Sequence, residues 1–176
     1  MGFTNLPVSV FGDVTDVWTS TNQPAELGQI AFYKTTGGLW SLLKYCEATD
    51  GWTKGDVLVH DAAKNDPANL ETAATGDGGL GNFRGIGAAT VASASRGWVY
   101  VGGYCPAVSM PTNFASGQGM RISATYAGRL SSAAINATGG TLAGTSLIYT
   151  VAIALESATV STANSFGSCN IVGVYL

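Results

Sequence analysis

"GWVYVGGYC", residues 97–105, alternates from end to end: in an extended chain Trp98, Tyr100 and Gly102 face one side, and Val99, Val101 and Gly103 the other. The run is too short and too rich in glycine for a helix, and its aromatic and β-branched residues suit a half-buried strand. Trp98 and Tyr100 therefore share a face and are expected to anchor a β-core or an oligomer seam, where a large ring with one polar tip is easily housed. The rival reading is a platform on which sugars stack, and it applies equally to Trp40 and Trp52, which lie in or beside other strand-like runs.

On either side of this stretch the chain repeats the same grammar. "GQIAFYKTT", "LWSLLKYCEA" and "GDVLVHDA" precede it, separated by turn residues at 36–38 and 50–55, and read as a meander. In the last of them Val57 and Val59 point one way, and Leu58 and His60 the other. "GMRISAT", "AGRLSSAAI", "TSLIYTVAIALESAT" and "SCNIVGVYL" follow it. Between the two groups, residues 62–85 are polar and Gly-rich and read as a long excursion with one short helical turn at "PANLETA". Short strands at roughly ten-residue spacing, with no sustained helical period, predict an all-β fold, a small β-barrel or β-sandwich with long Gly-rich loops.

Residues 1–27 differ from the rest. Pro7, Pro24 and the polar "TSTNQPAE" make them an irregular N-terminal arm ahead of a single β-domain, residues 28–176. Yet Phe3, Leu6, Val8, Val10 and Phe11 give the arm an apolar alternation that a solvated tail would lack. The arm either packs along its own domain as an edge strand or contacts a neighbouring subunit.

Composition narrows the function. Of 176 residues, 24 are Gly and only 11% are charged, against 46% hydrophobic, with a net charge of −3. A chain with so much apolar material and so little net charge folds. It offers no clustered Lys and Arg for nucleic acid or an anionic membrane. No apolar run approaches the ~20 residues of a membrane span, since "SLIYTVAIAL" stops at Glu156. The N-terminus lacks the basic and apolar regions of a secretory signal, so synthesis in a cytosol is expected. Cys46, Cys105 and Cys169 are odd in number and widely spaced, which predicts buried, reduced thiols rather than a disulfide framework or a zinc site.

Catalytic constellations are hard to assemble. "GDGGLG", residues 76–81, has the letters of a dinucleotide fingerprint but neither the strand before it nor the helix after it that would hold a pyrophosphate. "GGTLAGTS" lacks the lysine of a phosphate loop. The single histidine, His60, is followed by Asp61, and neighbours on a strand point to opposite faces, so Asp61 is badly placed to orient it. No catalytic residue, metal ligand or cofactor is assigned, and the chain is read as a non-enzyme.

From residue 28 to 176 the order of motifs is a "GDVLV" strand, a Gly loop, "GIGAATVASASRGWVYVGGYCPAV", the "SGQGMRISATYAGRL" hairpin and "TVAIALESATVSTANSFGSCNIVGVYL". This order resembles the capsid decoration, or cement, proteins of tailed bacteriophages. The resemblance implies a small β-barrel-like homotrimer made in the bacterial host cytoplasm. It also implies a place on the outer surface of the virion head, where the protein binds the major capsid protein and staples capsomers together. It carries no catalytic residues. The alternative from another class is a carbohydrate- or receptor-binding β-module of a phage tail or fibre.

Overall fold

The computed structural model describes residues 14–19, 24–35, 37–75, 82–110, 114–132, 150–157 and 165–172. Eleven strands occur among them: β1 (Val17–Thr19), β2 (Ile30–Lys34), β3 (Trp40–Ala48), β4 (Val57–His60), β5 (Asn69–Thr72), β6 (Phe83–Gly87), β7 (Ser95–Met110), β8 (Gly119–Ile122), β9 (Leu130–Ser132), β10 (Ala152–Ala154) and β11 (Ser165–Ile171). The fold is all-β, as the sequence predicts. It is one continuous sheet closed into a partial ring, instead of a regular barrel or two packed sheets.

The opening stretch is the hub of that sheet. β7 is 16 residues long, beyond the usual ~3–10, because different strands pair with its two halves. Its first half pairs with β1, β3 and β6, and its second half, from Gly103 on, with β11. At the changeover the β3–β7 register slips by one residue between Leu42 and Leu43. Just past the slip, Gly103 adopts φ +68°, and a Cβ there would lie 2.5 Å from the Trp40 carbonyl oxygen. Only glycine fits both the backbone conformation and the approach.

The two faces of β7 enter two different cores. Trp98 and Tyr100 belong to the larger one, with Leu43, Tyr45, Val57, Val59, Phe83 and Ile86. Val99 and Val101 belong to the smaller one, with Cys46, Ala48, Trp52, Leu58, Leu70 and Val91. The alternation in "GWVYV" is thus apolar on both sides because both sides are covered. Trp98 is 2% exposed and packs its ring against Tyr45 at 5.1 Å between centroids.

The smaller core fills the ring. β3 pairs with β5 and β7, and the pairings β3–β5–β4–β6–β7 return to β3. Two of the joints, β3–β5 and β6–β7, hold only two residue pairs each, which is why the ring falls short of a barrel. Trp52 fills the interior opposite Gly87, where an added Cβ would lie 2.7 Å from the indole. The Val57/Leu58 alternation holds: Val57 and Val59 enter the larger core and Leu58 the ring.

Three expectations are corrected. "PANLETA" contains no helical turn, since Asn69–Thr72 forms β5. Its polar residues suit a strand whose ladder to β4 and β3 satisfies the backbone while Leu70 alone plugs the ring. The excursion ends at Phe83, where β6 begins. Finally, β4 does not continue a meander from β3; it pairs with β5 and β6, the parallel β3–β5 joint having displaced it.

Within the segment read as an arm, β1 pairs with β7, and Val14 and Ala25 are buried in the larger core. Phe3, Leu6, Val8, Val10 and Phe11 lie outside the described residues, as do the glycine loop at 76–81 and the small-residue loop at 136–144.

Candidate interaction surface

β2 ends the sheet, and among the described residues it pairs only with β3. Tyr45 N–H donates to the Gln29 carbonyl, and Thr35 N–H to the Leu39 carbonyl. Stepping by two along the register puts Ala31 and Tyr33 in the bonded pairs with Leu43 and Ser41. The N–H and C=O groups of Ile30, Phe32 and Lys34 therefore point outward, along an edge that pairs with no described strand.

The side chains of those same three residues share one sheet face. Their partners across the ladder are Lys44, Leu42 and Trp40, so one face carries Ile30, Phe32 and Lys34 beside Trp40 and Leu42. Phe32 is 62% exposed and Trp40 54%, and Ile30 and Leu39 are exposed with them. The opposite face, Ala31 and Tyr33, packs on the larger core. Further along β3 the exposed face becomes the lining of the ring, through Leu42 and then Cys46. The surface is thus an apolar floor that continues outward from a filled ring, flanked by a strand edge that pairs with no described strand.

Charge on it is sparse. The Lys34 ammonium sits 5.4 Å from the centre of the Trp40 ring, a cation–π contact that covers the indole. Lys44 is buried at the point where the face passes into the ring. Edge strands in soluble proteins are normally blunted by charge, proline or a covering loop. Here Lys34 alone supplies charge along an edge otherwise made of Ile30, Ala31, Phe32 and Tyr33. Apolar surface exposed among the described residues in this way is a candidate contact site.

The other candidates have structural roles. His60 Nε2 lies 3.2 Å from the Asp66 carbonyl oxygen; a carbonyl only accepts, so that nitrogen carries the proton. The Asp61 carboxylate accepts from Ala63 N–H and the Asp66 carboxylate from Ala68 N–H, each at 2.8 Å, so both acids hold turns in the loop after β4. His60→Ala is expected to change stability by less than about 1 kcal/mol, the worth of one partly exposed hydrogen bond. Urea unfolding checks this, and a loss of several kcal/mol would show that the imidazole holds the 61–68 loop in place.

All three cysteines are free and buried. Burial pushes the Cys46 thiol up to about 12, with nearby Lys44 drawing it down and Asp66 raising it. At neutral pH it is a protonated thiol, the unreactive form. Asp56 is also raised by burial, against the opposing pull of Thr53 N–H, Arg129 and the Thr72 hydroxyl. Its carboxylate accepts from Thr53 N–H at 2.8 Å and closes the turn before β4.

Trp98 and Tyr100 stand on one face, inside the larger core. Sequence reasoning missed Ile30, Phe32 and Leu39, and singled out Trp40 only as a core or interface residue or a sugar platform. The signal was present in "QIAFYKTTGGLW": both alternate rows of "IAFY" are apolar, yet only one can face the core when the strand lies at a sheet edge.

No protein-family model matches the chain, and no curated protein matches it. Among solved structures, the head fiber gp8.5 N base in bacteriophage phi29 is similar at 12% identity, covering 76% of this chain and 96% of that one with a TM-score of 0.46.

Proposed function

We propose that this chain is a structural protein of a bacteriophage virion. It binds the outer surface of the head through the β2 edge and stabilises contacts between capsomers, with the major capsid protein as partner. The observation that carries this reading is the exposed Ile30 and Phe32 on the edge strand β2, with Trp40 of β3 on the same face, where the outward backbone groups of β2 pair with no described strand. A protein built to cement others needs contact area more than chemistry, and stable association buries about 1,200–2,000 Å² in total. An unpaired edge adds main-chain hydrogen bonds to that area when an extended segment of a partner lies along it. The motif order of residues 28–176, similar to that of cement proteins, points the same way.

A sugar-stacking role has less support. Trp52 and Trp98 are buried, and the exposed Trp40 ring already holds a lysine ammonium. The test is co-sedimentation of the purified protein with phage heads, after light scattering has given its mass. A homotrimer that saturates heads is the expected result. A strictly monomeric chain that stays in the supernatant with every head preparation would defeat the proposal.

The arm provides a separate check. Deleting residues 2–12 removes Phe3, Leu6, Val8, Val10 and Phe11 while leaving Val14 and β1 in place. Circular dichroism of the deletion is expected to retain the β-domain, and light scattering and co-sedimentation to show a broken oligomer or lowered occupancy. Normal assembly and normal head binding would remove the arm from the mechanism and leave attachment to the β2 edge.

A further inference from the structure

Cys105 and Cys169 are separated by most of the second half of the chain but stand directly opposite one another where β11 pairs with β7. Both are fully buried, both are free, and both project into the larger core. The Cys105 thiol donates to the Ala107 carbonyl oxygen at 3.4 Å. Directly opposed residues of an antiparallel pair have Cα atoms about 4.5–5.5 Å apart, inside the ~4.4–6.8 Å range a disulfide spans. The pair lies beside a register shift between Gly167 and Cys169, where the ladder is already irregular because β7 carries one residue more than β11 between the paired positions.

Cys46 is a built-in contrast. It is equally buried, but the residue opposite it on β7 is Gly97 and its core is the ring interior. No second sulfur faces it across the ladder.

We propose that Cys105 and Cys169 form a cross-strand oxidation site, which a low-molecular-weight disulfide such as oxidised glutathione converts to an intramolecular bond stapling β11 to β7. In the first step the thiolate of one cysteine attacks the glutathione disulfide, forming a mixed disulfide and releasing one glutathione thiolate. In the second step the other cysteine, as thiolate, attacks the protein sulfur of that mixed disulfide, the protein S–S bond forms, and the second glutathione leaves as thiolate. Two protein thiols lose two electrons and two protons, and one glutathione disulfide gains them as two glutathione thiols. Burial raises the Cys105 thiol well above its ordinary value, so attack is slow in the closed protein and proceeds when β11 opens. The bond closes a loop that contains β8, β9 and β10. Those strands reach β7 through β11, apart from the packing of β9 on β7, so the staple fixes the whole outer part of the sheet to its hub.

The site is a property of the isolated chain, and its test does not depend on head binding. Purified protein is incubated with oxidised glutathione in two ways: as the native fold at a moderately raised temperature, and during refolding from urea in a glutathione redox buffer. Samples are acid-quenched, alkylated in denaturant and analysed by peptide mass mapping. The expected result is a fall from three alkylated thiols to one, at Cys46, with one linked peptide pair joining Cys105 and Cys169 and a mass lower by two hydrogens. Cys105→Ser and Cys169→Ser should each stop at a glutathione adduct or remain reduced. Closure on refolding alone would support the site and show that burial sets the rate. Three free thiols, stable glutathione adducts in the unmutated chain, or a bond to Cys46 under both conditions would overturn it.

Discussion

Trp98→Ala is expected to lower stability by about 3–5 kcal/mol, the usual cost of emptying a buried aromatic site. Against a total of about 5–15 kcal/mol for a natural domain, this takes much of the fold's margin. The reason lies in what the indole touches. It packs against Tyr45 at 5.1 Å, and Tyr45 in turn receives the edge of Trp18 from β1 at 5.8 Å. Removing the middle strand's ring therefore leaves a cavity and loosens the chain of rings that joins β1, β3 and β7, each aromatic pair adding about 0.5–1.5 kcal/mol beyond area burial. Trp40→Ala, two residues before Leu42, where the register slips, but with its ring exposed, is expected to change stability by no more than about 0.5 kcal/mol. Urea unfolding followed by circular dichroism measures both without relying on tryptophan emission. Equal effects of the two substitutions would mean that the β7 face is not the centre of the core.

The strands were legible where local pattern decides them. "GWVYV" announces a β-strand by alternation, and "GDVLVHDA" assigns Val57 and Val59 to one side and Leu58 to the other, because a period of two is a property of the backbone itself. Pairing was not legible in the same way. Nothing local in "PANLETA" reveals β5, since the segment is a strand only because β3 and β4 supply its hydrogen bonds. The ring was hidden for a related reason: it depends on Gly87 lying against Trp52, two residues far apart in the chain whose meeting no spacing rule encodes. The candidate surface was the hardest to foresee. Phe32 and Tyr33 read alike in sequence, and their difference in exposure comes from β2 being at the end of the sheet, which is a fact of topology. The cysteines show both sides of this limit. Their odd number foretells free buried thiols, but the facing of Cys105 and Cys169 follows from the β7–β11 register.

Phe32→Asp combined with Trp40→Ala is expected to reduce head occupancy by about 30-fold or more, the loss of roughly 2 kcal/mol that defines a contact hot spot. Phe32 is the most exposed large hydrophobic among the described residues, and Trp40 lies beside it on the same face. Because both side chains are already in solvent, the folded chain loses little when they go; an exposed edge-strand position varies over about 1 kcal/mol between residue types. In a complex the balance reverses. An aspartate at position 32 must be desolvated against an apolar partner, and the indole no longer fills its share of the contact. The substitution also sets a charge in the middle of the free edge, the device that natural edge strands use against strand addition. Leu155→Asp is the control, since Leu155 is also exposed but adjoins β10, far along the sheet order from β2. It is expected to bind heads normally. If the double variant folds, keeps its oligomeric mass and still saturates heads at the unmutated concentration, the β2 edge is not the capsid-binding face. If Leu155→Asp fails equally, binding depends on general apolar exposure rather than on this strand.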